Sequence, residues 1–524
     1  MNTLSKMLVF SIAAIVLRII VLILFPSPID SDECVEALLG MNFWNHPGFI
    51  VGWPGQDYMG SLEIYLLSLV TFFSGSSTGS IRFTMLCIVA CQLLCIFSIS
   101  YKSSGPKAAA ISMIASCALS PFAYNWELRA RGYQVMVLLV LCALLLKIYL
   151  LSRPAIKPSK KWAMLLIIGV IYGIAVWSNE LAFFLVFPLV FFPFSRSLFL
   201  DWDLVPLIIG ACIGYLPRIL YNLLTNFEGI KLLLGNLFHI TPQTLENHTV
   251  STIITSFVGF KVLKLHVAGL LQGIGMPVLL FLACGIMWLL KTNGRKKIDS
   301  NRHWLPLGLA ISIALILIIN DRNRYLELAV PFCCIFIGFV FSRCLNTNFF
   351  TFRQALLALF TFSALSLLSI AITHNNAPLL DEQTIIPFLK KNNYTNGISG
   401  YYVAQKIMFY SNSTIAVSSL GGPFFITRFL DVERLISGKG AEFIVYSLYD
   451  DPIYPESLEL FCKNKTISYK KNVIGGKFII FHDFSKRIFP GEFLPAGALR
   501  HFNRHACTNP RKIRQEKANF LTKT

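Results

Sequence analysis

Four carboxylates, Asp30, Asp32, Glu33 and Glu36, crowd the segment PIDSDECVEALLG (29–41), directly after the first long apolar run. A carboxylate held at a water–lipid boundary can take the proton of an attacking hydroxyl, which is general-base chemistry. Two other segments supply the complement. ELRARGYQ (127–134) carries Arg129 and Arg131, and DRNRYLELAVP (321–331) carries Arg322 and Arg324. Arg keeps its charge and matches phosphate oxygens two at a time, so these side chains suit a phosphate leaving group. Tyr133 and Tyr325 beside them offer a hydroxyl or an aromatic face to a sugar, and Glu180 in WSNE adds an acid for a substrate pocket. Each also has a plainer role. An Arg near a helix end snorkels to headgroups, Glu127 can pair with Arg131 one turn later, and Glu180 can cap or pair.

The elements that must position these groups belong in a membrane. Of 524 residues, 55% are hydrophobic and 14% charged, beyond the roughly 45–50% apolar share of soluble domains. A span needs about 20 mostly apolar residues. The runs 8–25, 82–101, 108–124, 134–152, 162–178, 180–195, 204–220, 270–290, 304–319, 326–342 and 354–373 predict about eleven helices, a polytopic α-helical membrane protein. LEIYLLSLVTFFS (62–74) is too short to cross and reads as an interfacial helix. Lys6 before the first run suggests a signal peptide, but no small-residue cleavage site follows, so an uncleaved helix is expected.

Net charge of +19 fits Lys and Arg collected in cytoplasmic loops against anionic lipid. No basic stripe interleaved with aromatics argues for nucleic acid as a partner. The loops 101–107, 147–162, 291–302 and 342–353 are rich in Lys and Arg, and they alternate correctly with a cytoplasmic N-terminus. DSDE, ELRARGY, WSNE, PRILYN and DRNRY then share the outer face. Opposite charges beside aromatics, repeated on one face, favour an active site over connecting loops.

The expected organisation is a transmembrane catalytic domain over 1–373 with a first external loop at 26–61, a small external α/β domain over 374–484, and a basic tail over 485–524. EFIVYSLY (442–449) and KKNVIGGKFIIFHDF (470–484), the latter with a Gly-Gly turn, are the strand signals. Most of the Cys lie inside apolar runs as small hydrophobes; Cys34, Cys462 and Cys507 do not, and a Cys462–Cys507 disulfide is one option.

The Asp32–Glu33 pair soon after the first helix, GQDYMGSLEIYL, SIRF opening the second span, RARGY and RNRYLELAVP together resemble the integral-membrane GT-C glycosyltransferases. The branch is the bacterial protein-mannosyltransferase-like and lipid A aminoarabinose transferase-like group, glycosyltransferase family 39 or Rgt-like. The similarity runs over roughly residues 8 to 345. It implies a sugar transferred from a polyprenyl-phosphate donor to a lipid, glycan or protein acceptor on the periplasmic or lumenal face. The family's catalytic carboxylate maps onto Asp32 with Glu33 as neighbour, and its second acidic position onto Asp57 or Glu63. GQDYMGSLE stands where the family has an acid next to His-Pro-Pro, so the second position stays open between the two.

The expected mechanism is a single inverting displacement. Asp32 acts as base, and Arg129, Arg131, Arg322 and Arg324 receive the departing phosphate. No obligatory cofactor is expected; the acids of DSDECVE are of the type that binds a divalent metal, and a metal role stays undetermined. A transporter or flippase of lipid-linked sugars, or a polysaccharide polymerase, is the alternative. A transporter would show broken midplane helices and an inverted repeat, and the sequence displays neither.

Overall fold

The computed structural model describes residues 3–45, 50–53, 56–117, 124, 126–153, 156–180, 182–183, 202–224, 227, 328, 330–344, 382–419, 430–447 and 454–489, with isolated positions between 357 and 371. Helix α1 (Thr3–Leu24) fills the first apolar run, and α2 (Ser31–Asn45) begins at the acidic cluster. A short hairpin, β1 (Gly52–Trp53) and β2 (Gln56–Gly60), leads into α3 (Leu62–Ser74). With 13 residues, α3 is about 20 Å long, short of a hydrocarbon core of about 30 Å.

Helix α4 (Thr78–Cys117) contains the two expected spans that start at 82 and 108. Gly105 breaks it, with φ +85°, and Pro106 follows. The Ser100 and Ser112 hydroxyls lie 2.7 Å apart, whereas twelve residues of unbroken helix would separate them by about 18 Å. The chain therefore reverses at Gly105 into a helical hairpin. Helices α5 (Gln134–Leu151), α6 (Pro158–Ser178) and α7 (Leu204–Leu224) follow, then α8 (Val330–Cys344). Among the described residues α4 to α7 are long and apolar enough to cross a membrane. The expected runs 270–290 and 304–319, nearly all of 180–195 and about half of 354–373 lie outside the described residues.

Two small-residue motifs lock α6 to α7. Gly169 and Gly173 face Gly210 and Gly214, and a Cβ at any of the four would run into backbone of the opposite helix. This is close packing through paired GxxxG stripes, a pattern that lets helix backbones approach in lipid. Gly173→Val should destabilise the detergent-solubilised protein by about 1–3 kcal/mol, the usual cost of overpacking. An unchanged thermal unfolding midpoint would count against this contact.

A second layer follows the helices. Helix α9 (Ile385–Lys391), β3 (Asn396–Ser399), α10 (Tyr401–Tyr410), β4 (Ala416–Ser419), α11 (Leu430–Lys439), β5 (Phe443–Ser447), α12 (Tyr454–Asn464), β6 (Lys470–Ile474) and β7 (Phe478–His482) build a five-stranded mixed sheet, ordered β4-β3-β5-β7-β6. Strands β4, β3 and β5 run parallel, while β7 pairs antiparallel with both β5 and β6. Gly475 and Gly476, both at positive φ, make the β6–β7 turn.

Alternation along the strands divides this sheet between two cores. Phe443 and Val445 of β5, with Phe478 and Ile480 of β7, join a hydrophobic core that runs on through α10 into the helices. Ile444, Tyr446, Ile479 and Phe481 pack instead with Ile436, Leu458 and Cys462 in a separate core. The period of two in a strand sends neighbours to opposite faces. Cys34 and Cys462 are buried free thiols, and Cys507 lies outside the described residues.

Candidate active site

The acidic segment folds as a helix start. Asp30 Oδ1 accepts the Glu33 N–H at 2.9 Å, and Glu33 Oε2 accepts the Asp30 N–H at 3.0 Å. This is a reciprocal capping box with acids at both positions, and the negative charge suits the positive end of the helix dipole. The remaining oxygen of Asp30 is saturated by cations: Arg129 Nη1 donates at 2.8 Å, Arg131 Nε at 3.0 Å, and Arg131 Nη2 donates as well. Burial pushes the Asp30 carboxyl up, but Arg131 and Arg129 outweigh it and hold it below its ordinary value.

Glu33 points elsewhere. It is completely buried and forms a two-pronged ion pair with Arg82, Nη1 on Oε1 and Nη2 on Oε2 at 3.0 Å. Arg82 also donates to the Leu128 carbonyl at 2.8 Å, and the Ala130 N–H reaches Glu33 at 3.3 Å. The pair therefore joins α2, α4 and the 128–130 loop.

Asp32 is the exception among the four acids. Its side chain is 24% exposed, and its nearest cation among the described residues, Arg131 Nη1, is 3.9 Å from Oδ2. The Tyr401 hydroxyl, from α10, donates to Oδ1 at 2.8 Å. Among the described residues, one oxygen is thus oriented by a neutral donor and the other accepts no hydrogen bond and stands beside a guanidinium. Arg131 itself stands over the Trp126 ring, its Cζ 4.0 Å from the centroid, a cation–π contact that helps to hold it in place.

One turn after Asp32, Glu36 meets Glu63 at the start of α3. Glu63 accepts the N–H groups of Arg131 at 2.7 Å and Gly132 at 2.9 Å. Gly132 has φ +72°, and a side chain there would strike Met59. Burial, then Glu63 and the hydrogen bond shared with it, push Glu36 well above the usual glutamate range. Burial raises Glu63 too, against the N–H bonds that favour its ionised form. Burial beside a second carboxylate thus favours the neutral form of Glu36.

A folded-state value raised above the unfolded one gives stability that is complete below the unfolded value and lost as the pH rises through the folded one. The ordinary value is 4.5, so the unfolding midpoint should fall as the pH climbs above it toward and through the raised value. Gln cannot ionise, so Glu36→Gln should flatten that slope above the ordinary glutamate value. Equal slopes in variant and parent would refute a raised Glu36 as the source of that slope.

Glu127 does not pair with Arg131. Its partner is the buried Arg18 of α1, at 2.7 Å, because the turn at 128–132 carries Arg131 off the helical path that one-turn pairing requires. Tyr133 is buried at the start of α5. Glu180 is also buried, at the end of α6, where Arg218 Nε and the Tyr215 hydroxyl donate to it at 2.9 and 3.1 Å. Asp57 lies on β2, with its side chain outside the described residues, as are Arg322, Arg324 and Tyr325 altogether. The structure thus gathers Asp32, Arg129, Arg131, Glu33 and Glu63 at one end of the helices. Among the described residues no three His, Cys, Asp or Glu converge as ligands for a metal ion.

The residues that organise this site were only partly visible in the chain. Arg82 stands in SIRF and Arg218 in PRILYN, each a lone Arg in an apolar stretch, which is a signal for a buried partner. Tyr401 carries no local signal, since its partner lies 369 residues away.

The comparisons with known proteins concern this same region. Residues 62–219 match the dolichyl-phosphate-mannose-protein mannosyltransferase family. No curated protein matches the chain in sequence. The structure superposes on ArnT from Cupriavidus metallidurans bound to undecaprenyl phosphate, with TM-score 0.61 and 12% identity, over 92% of this chain and 99% of that one. It also superposes on the Archaeoglobus fulgidus oligosaccharyltransferase, with TM-score 0.52 and 13% identity, over 93% of this chain and 75% of that one. The oligosaccharyltransferase AglB from Archaeoglobus fulgidus, in complex with an inhibitory peptide and a dolichol-phosphate, matches with TM-score 0.50 and 14% identity, over 88% of this chain and 70% of that one. The chain therefore has the fold of the integral-membrane GT-C glycosyltransferases, and residues 62–219 carry the sequence pattern of the mannosyltransferase family.

Proposed function

We propose that the protein is a glycosyltransferase that moves a sugar from a polyprenyl-phosphate donor to an acceptor hydroxyl on a lipid, glycan or protein. One observation carries the reading: of the four acids of the first loop, Asp32 is the most exposed, held at one oxygen by the Tyr401 hydroxyl and with a guanidinium 3.9 Å from the other. Two relatives in fold were solved with undecaprenyl phosphate and with a dolichol-phosphate bound, which supports a lipid phosphate as the carrier. The Lys- and Arg-rich loops of the sequence, read by the positive-inside bias, support a site on the periplasmic or lumenal side, in a bacterial inner membrane.

In this reading Asp32 takes the proton of the acceptor hydroxyl as its oxygen attacks the anomeric carbon, and the carbon–phosphate-oxygen bond breaks in the same displacement. Arg131 and Arg129 receive the phosphate charge, with Arg322 and Arg324 as further holders. Arg131 Nη1 already faces the open side of Asp32. A retaining path needs a second carboxylate as nucleophile about 5–5.5 Å away. Asp30 and Glu33 are committed to Arg131, Arg129 and Arg82, so the expected outcome is inversion in one step. Glu63 shapes the loop that aims Arg131, and Asp57, Tyr133, Glu180 and Tyr325 remain candidates for substrate contact.

The test is to incubate purified protein in proteoliposomes with a panel of radiolabelled undecaprenyl-phosphate hexoses and pentoses, with membrane extract as acceptor. Covalent transfer of label that disappears in Asp32→Asn supports the reading. Label that crosses sealed vesicles without covalent transfer would establish the transporter alternative, and elongation of a glycan by preassembled units the polymerase.

A further inference from the structure

We propose that Tyr401, carried by the C-terminal sheet, is a positioning residue for the Asp32 base, so that the base is set only while helix α10 is docked on α2. The inference rests on Asp32 being the base. It goes beyond that reading by bringing a residue of the C-terminal part of the chain to the reacting end of the helices.

The geometry is specific to one oxygen. The Tyr401 hydroxyl donates to Asp32 Oδ1 at 2.8 Å, while Oδ2 faces Arg131 Nη1 at 3.9 Å. A neutral donor orients a carboxylate without discharging it. A bidentate Arg, as Glu33 has in Arg82, would consume both oxygens. Of the two kinds of partner found in this acidic segment, Tyr401 is the one compatible with proton acceptance.

Its placement is also enforced. Tyr401 is the first residue of α10, directly after Gly400 and the end of β3, which lies between β4 and β5. The helix is tied further along. Lys406 pairs with the buried Glu382 at 2.6 Å, and the Tyr410 hydroxyl shares a hydrogen bond with Thr78 at the start of α4. Val403, Ala404 and Ile407 on the same helix sit in the core that contains Cys34 and Val35 of α2. A phenol ring with few rotatable bonds, at the end of a helix held at three points, delivers its hydroxyl with little freedom.

In catalysis Tyr401 holds rather than transfers: no bond to substrate forms, and the proton that Asp32 accepts resides on Oδ2. Tyr401→Phe keeps the ring and its packing and removes the one donor. Turnover should fall about tenfold while the donor KM stays within twofold, because the loss concerns base orientation and not binding.

Two measurements on the full-length protein test this. Carboxyl footprinting, with a carbodiimide and glycine ethyl ester followed by mass spectrometry, needs no substrate. Asp32 labelling should rise severalfold in Tyr401→Phe, while Asp30 and Glu33 stay protected as in the parent. Unchanged Asp32 labelling would overturn the contact. A double-mutant cycle with Asp32→Asn in the transfer assay tests the role. Tyr401→Phe should add almost nothing once Asp32 is already Asn, because the two act as one unit.

An equal fold-loss in both backgrounds would reduce Tyr401 to a structural residue and overturn the proposal. If Asp32→Asn is inactive and Tyr401→Phe turns over at the parental rate, the positioning role fails and the base survives. If Asp32→Asn keeps full turnover, the underlying function reading fails first.

Discussion

The Asp32→Asn protein is expected to fold as the parent does and to lose ~10²–10⁴-fold in turnover, the usual cost of removing a general base. The expectation of normal folding comes from the bonding of this side chain. Asn has the same shape, its Oδ1 accepts the Tyr401 hydroxyl as the carboxylate does, and Arg131 keeps its close contacts to Asp30 when the 3.9 Å contact to Asp32 weakens. No buried cation is left without a partner. Asp30→Asn is the informative contrast, since it uncouples both Arg129 and Arg131. Transfer rates beside thermal unfolding midpoints of the two variants separate the roles: loss of rate at parental stability for Asp32, joint loss for Asp30. An Asp32→Asn variant as active as the parent would remove this residue from the mechanism.

Arg82→Met is expected to destabilise the protein by about 3–5 kcal/mol, the cost of stranding a buried charge. Of its present partners, Glu33, fully buried, would keep only the Ala130 and Asp30 N–H groups. The Leu128 carbonyl loses its donor as well, which frees the loop that presents Arg129 and Arg131. Transfer activity should therefore collapse together with stability, unlike the Asp32 case. Adding Glu33→Gln to Arg82→Met removes the stranded charge and should recover part of the loss. Denaturant or thermal unfolding in detergent reads both steps; a double variant less stable than Arg82→Met alone would contradict the buried ion pair.

Local chemistry was legible in the chain to the extent that it was local. The acids of 30–36, the arginines of RARGY and the short α3 could be read because type, spacing and length carry the information. The roles within DSDECVE could not, because adjacent residues on a helix point about 100° apart. Asp32 and Glu33 look like a pair in sequence, yet one reaches Tyr401 and the other Arg82. Pairings such as Arg18 with Glu127 and Glu33 with Arg82 join helices far apart in sequence, and no periodicity announces them. The hairpin at Gly105 was anticipated as two spans with a basic loop between them. The GxxxG stripes of α6 and α7 were in view as letters, and their significance emerged only with the helices side by side.

The division of strands β5 and β7 between two cores sets the unit in which this architecture can be exchanged. Phe443, Val445, Phe478 and Ile480 continue the interior of the helices, whereas Ile444, Tyr446, Ile479 and Phe481 close a core of their own. Only the second half is self-contained. A graft of the sheet onto another helical bundle would arrive with an apolar underside shaped for α10 on this α2, and a chain cut before α9 would leave the matching surface of α2 bare. Chimaeras meant to alter acceptor choice should therefore carry α2 and the C-terminal sheet together as one piece.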